Sequence, residues 1–85
     1  MKNYRVVSID AWGNSEDGYE WNQWFEVGNI DIDVNAPSET ILAAMHQAGY
    51  ITQTEGGEVE DDGFNLVIKD KKTQEPLFAI EYGNA

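Results

Sequence analysis

The sequence predicts an α+β domain: an antiparallel sheet of five or six strands with one helix packed on one of its faces. Three observations carry this. Short runs rich in β-branched and aromatic residues alternate in polarity, as half-buried strands do. One stretch, 37–48, instead repeats its apolar residues at helical spacing. Gly-, Asn- and Asp-rich punctuation separates the runs. The expected order is βββα followed by ββ or βββ, in a single domain spanning residues 1–85.

The first strand is "YRVVSIDA", 4–11, with Val7, Ile9 and Ala11 on one face. The second, "YEWNQWFEV", places Tyr19, Trp21, Phe25 and Val27 on one face and Glu20, Asn22, Trp24 and Glu26 on the other. Gly28–Asn29 is a two-residue hairpin signal. It leads into a third strand, "IDIDV", with Ile30, Ile32 and Val34 inward and Asp31 and Asp33 outward. The helix starts at Pro37 or Ser38, where Glu39 complements its dipole. It shows a stripe of Ile41, Leu42, Met45 and Ala48, and stops at Gly49. A short edge strand is expected at 50–54 and an acidic loop at 55–63. The hairpin 64–70 and 76–82 closes the chain, with Pro76 tolerated as a first or edge residue.

Composition narrows the function classes. The hydrophobic share of 41% supports a core, and there is no cysteine for a disulfide or thiolate metal site. No apolar run approaches the length of a membrane span or a signal peptide, so the expectation is a soluble cytoplasmic protein. The charge is unusual: 16 carboxylates face five Lys or Arg, for a net charge of −11. Residues 6–68 carry 13 of those acids and no Lys or Arg. Such a field disfavours nucleic acid and anionic membranes as direct partners and favours a basic protein surface.

No catalytic, cofactor or metal residues are expected. His46, the single histidine, lies off the apolar stripe of the helix without a sequence partner. "DIDVNAPSETIL" opens like an EF-hand loop but has Ala36 where that loop needs Gly and Leu42 where it needs a bidentate Glu. The acids instead suggest an electrostatic surface. Carboxylates two apart on a strand face stand about 7 Å apart, near two steps of a nucleic-acid strand's phosphate spacing of about 3.4 Å. A sheet edged with them can occupy a protein's nucleic-acid groove as a DNA mimic. The candidate partner-binding residues are Trp12 and Trp24 as anchors, with Glu16, Asp17, Glu20, Glu26, Asp31, Asp33, Glu58, Glu60, Asp61 and Asp62 around them. Trp21 is assigned to the core, and Trp12 and Trp24 are expected to share one face.

The run "SIDAWGN…GYEWNQWFEVGNI", followed by "ILAAMHQAGY", resembles small uncharacterised proteins encoded by bacteriophages. The resemblance covers most of the chain and transfers no functional residue. It implies a phage or prophage accessory protein, a group that includes inhibitors of host nucleases and of CRISPR or restriction systems. The resulting expectation is a non-enzymatic binding protein or inhibitor that docks on a basic surface. The alternative is a small assembly protein that forms homodimers or larger arrays through a sheet edge.

Overall fold

The computed structural model describes residues 1–14 and 19–83, with side chains described for residues 1–10 and 24–83. It has the α+β architecture that the sequence predicts. Its elements are β1 (Lys2–Asn14), β2 (Tyr19–Ile32), α1 (Ser38–Gln47), β3 (Gly57–Asp61), β4 (Asn65–Asp70) and β5 (Pro76–Glu81). The five strands form one sheet in the order β2-β1-β5-β4-β3, with every neighbouring pair antiparallel.

The connection through α1 crosses from the β2 edge to the β3 edge. One crossover covers one face. On that face Ile41, Leu42 and Met45 of α1 pack against Val6, Ile30, Ile32, Leu66, Ile68 and Ile80. Tyr4, Val59 and Phe78 extend this core. The helix ends as its sequence dictates. Gly49 takes φ +87°, its N–H reaches His46 O, and the Tyr50 N–H reaches Met45 O, which together satisfy the last carbonyls. Ala48, expected on the apolar stripe, is exposed at the helix end.

Three expected boundaries are corrected. First, residues 19–34 are not two strands joined by a Gly28–Asn29 hairpin. Tyr19–Ile32 is one long strand whose register slips at Val27: Val6 pairs with Gly28, and Val7 pairs with Glu26. Gly28 is needed inside this strand because a Cβ there would overlap the Tyr50 hydroxyl, which donates to Asn29 O at 3.0 Å. Second, residues 50–54 are not a strand. Third, the acidic loop contains one. Val59 packs on the core opposite Ile68, which turns Glu58 and Glu60 to the other face.

The bulge takes Val27 out of the expected alternation, whereas Phe25 keeps its parity as the ladder partner of Ser8. Phe25 and Val27, assigned to one face with Trp21, are exposed at 46% and 47%. The register does not bring Trp12 and Trp24 together either. Trp24 lies opposite Ile9, whereas the partner of Trp12 in the ladder is Trp21. The side chains of Trp12, Trp21 and Glu20, and the whole of Glu16 and Asp17, lie outside the described residues.

Candidate protein-docking surface

Among the described residues, no helix lies over the second sheet face. Its centre is an aliphatic cluster in which Ile9 and Val7 of β1 and Ala79 of β5 are buried and Val67 of β4 is half-buried. Adjacent valines at 6 and 7 serve the two faces in turn, the signature of a central strand. Alternation and register then fix what surrounds the cluster. Trp24, Glu26 and Asp31 lie toward the β2 edge, and Glu58 and Glu60 lie toward the β3 edge. Arg5 and Glu81 are ladder partners between them. The open face thus carries the carboxylates of Glu26, Asp31, Glu58, Glu60 and Glu81 against the two cations Arg5 and Lys69.

Both cations are engaged within the face. Arg5 Nε lies 3.6 Å from Glu26, an exposed and weak pair. Lys69 Nζ lies 2.7 Å from Glu60. The acids of residues 6–68 are therefore not all unpaired, because cations from outside that span reach two of them across the sheet. Asp31 accepts from the Asn3 amide at 3.0 Å, and Glu58 accepts from Gln74 Nε2 at 2.7 Å. These bonds hold the carboxylates in place without neutralising them. Trp24, 42% exposed, is the large aromatic at one end of the cluster. An exposed indole rimmed by charge is the usual make-up of an interface anchor.

Three of the sequence-predicted acids serve the fold. The Asp33 carboxylate accepts the Asn35 N–H at 2.9 Å in the turn before α1. Asp61 accepts the Gly63 N–H at 2.8 Å and the Tyr82 hydroxyl. Asp62 accepts the N–H groups of Phe64 and Asn65, at 2.8 and 2.6 Å. Those bonds hold the Asp62 carboxyl below its ordinary 3.8, the Phe64 N–H being the largest influence. Asp61 and Asp62 therefore close the β3–β4 connection. Five predicted residues, Trp24, Glu26, Asp31, Glu58 and Glu60, gather on the open face. The aliphatic cluster itself was absent from the sequence-based site. Its signal was the pairing of Val7 with Val6 and the alternate parity of Val67.

Among the described residues, no group of three or more His, Asp or Glu is arranged to hold a metal ion. No helix among them is long and apolar enough to cross a membrane. Searches against protein-family models, curated proteins and solved structures gave no match.

Proposed function

We propose that this protein is a non-enzymatic binding protein that docks through its open sheet face on a basic protein surface. The observation that carries this reading is the exposed indole of Trp24 together with the carboxylates that flank the sheet face on both sides. Glu58 and Glu60 stand two apart on one strand face, about 7 Å of strand rise, near two steps of the phosphate spacing a nucleic-acid groove accommodates. Within this class, the resemblance to phage proteins favours an inhibitor that occupies the nucleic-acid-binding surface of a host protein, as anti-CRISPR and anti-restriction proteins do. The test is capture of partners from a bacterial lysate at rising salt. Basic, nucleic-acid-binding proteins should be retained at low salt, released as salt rises, and displaced by duplex DNA. Retention that ignores both salt and DNA argues against the reading.

A second reading, self-association through a sheet edge, draws on Trp24, Phe25 and Val27, all exposed on the outer strand β2. Light scattering at rising concentration separates the two, since only self-association raises the mass of the protein alone.

A further inference from the structure

β1 and β5 part after the Ser8–Phe78 pair. β1 continues through Ile9–Asn14, paired with β2 on one side and with no strand on the other among the described residues. β5 does not follow because Leu77 is the extra residue of a bulge against β4, and Pro76 has no N–H to give. The overhang is therefore a two-stranded ribbon whose second edge pairs with no strand among the described residues. Such ribbons are marginal in water until a third strand joins them.

The fork opens, on the helix side, into a cleft of about 470 Å³ between the segment 50–57 and the sheet. Its apolar part includes Ile68 and the rings of Tyr50 and Phe78, whose centroids are 5.9 Å apart. Asp10, Glu55 and Glu75 also line it. The other two charged lining residues are committed elsewhere. Asp70 accepts the Lys72 and Thr73 N–H groups, and Lys69 reaches Glu60 on the opposite face.

We propose that this fork receives an extended basic segment of a partner protein, added as a strand beside Ile9–Asn14 of β1. Main-chain groups on this edge supply the ladder. Alternate side chains of the added strand then point into the cleft, where a lysine stem can lie on Phe78 and Tyr50 while its ammonium meets Asp10, Glu55 or Glu75. The intervening side chains fall on the Ile9 side, which suits aliphatic residues. Charge complementarity selects this occupant over a second copy, which would bring its own net charge of −11. The inference goes beyond the open-face reading and rests on it only for the partner's basic character.

The test uses the full chain and a blocked peptide of alternating Lys and Val, as long as the overhang of β1, with a Glu–Val peptide as control. Binding of the Lys–Val peptide should slow amide hydrogen exchange across Ile9–Asn14 by about tenfold or more. The near-isosteric variant Asp10→Asn/Glu55→Gln/Glu75→Gln, checked for fold by circular dichroism, should bind about tenfold more weakly. Removing the open-face charges with Glu26→Gln/Asp31→Asn/Glu58→Gln/Glu60→Gln should weaken it far less. Absence of binding, binding without protection of β1, or equal loss from the two variants overturns the proposal. The open-face reading survives any of these results, because it is tested on whole protein partners.

Discussion

The phenol of Tyr82 donates a hydrogen bond to the Asp61 carboxylate, tying the chain just after β5 to the end of β3. That bond is the main reason the Tyr82 pKa is pushed up to about 12, with smaller contributions from burial and from the charges of Asp61 and Asp62. A raised pKa means that folding favours the neutral phenol. Its stabilisation is complete below the ordinary value of 10.0 and is lost as pH rises through the folded value of about 12. Ultraviolet titration should show one tyrosine ionising late, and Asp61→Asn should bring it back toward 10.0. An unchanged titration in that variant contradicts the assignment.

At the acid end, Asp62 and Asp70 set the dependence. Both are held below 3.8, Asp62 chiefly by the Phe64 N–H and Asp70 chiefly by the Thr73 N–H. Depressed values give stabilisation that is present above 3.8 and lost as pH falls through the folded values. Thermal melts should therefore fall as pH drops below about 3.8. In Asp62→Ala the melting temperature should be lower at neutral pH and should fall less below pH 3.8 than in the wild type.

Gly28 and Tyr50 form a coupled pair. Gly28→Ala drives a methyl group into the Tyr50 hydroxyl and should cost about 1–3 kcal/mol. Tyr50→Phe alone loses the bond to Asn29 O, for about 1 kcal/mol. The double variant should be more stable than the sum of the two losses implies, because removing the hydroxyl makes room for the methyl. Strict additivity in chemical denaturation contradicts this packing.

Core and docking residues should separate cleanly. Met45 is fully buried between α1 and the sheet, so Met45→Ala should cost about 2–5 kcal/mol. Trp24→Ala, at an exposed position, should cost less than about 1 kcal/mol of stability while weakening partner capture. A large stability loss at Trp24 would move it from anchor to core.

The sequence made the architecture readable because its periodicities are strong. The α1 stripe, its Gly49 stop and the β4–β5 hairpin appear where the residue pattern places them. Two of the departures, at Gly28–Asn29 and at 57–61, have one physical cause: tertiary contacts outweigh local turn chemistry. Gly28–Asn29 carries a hairpin signal, yet Gly28 is a strand glycine that leaves space for Tyr50, twenty-two positions away. "GEVED" reads as a loop because of its charge, yet one residue, Val59, docks it on the core as an edge strand. The acids were legible as a field. Which of them are free to meet a partner was not, because Asp61 and Asp62 are set apart by backbone hydrogen bonds that exist only once the β3–β4 turn has formed.

The central claim is that the open face recognises a basic surface by charge. Its most direct test compares wild type with Glu26→Gln/Asp31→Asn/Glu58→Gln/Glu60→Gln, which keeps side-chain size and removes four open-face charges. Affinity for the partner retained at low salt should be measured across roughly 0.05 to 0.5 M salt, where the screening length shrinks several-fold. The variant should bind at least about tenfold more weakly at low salt and show a flatter salt dependence. Equal affinity and an unchanged salt slope in the two proteins would contradict it.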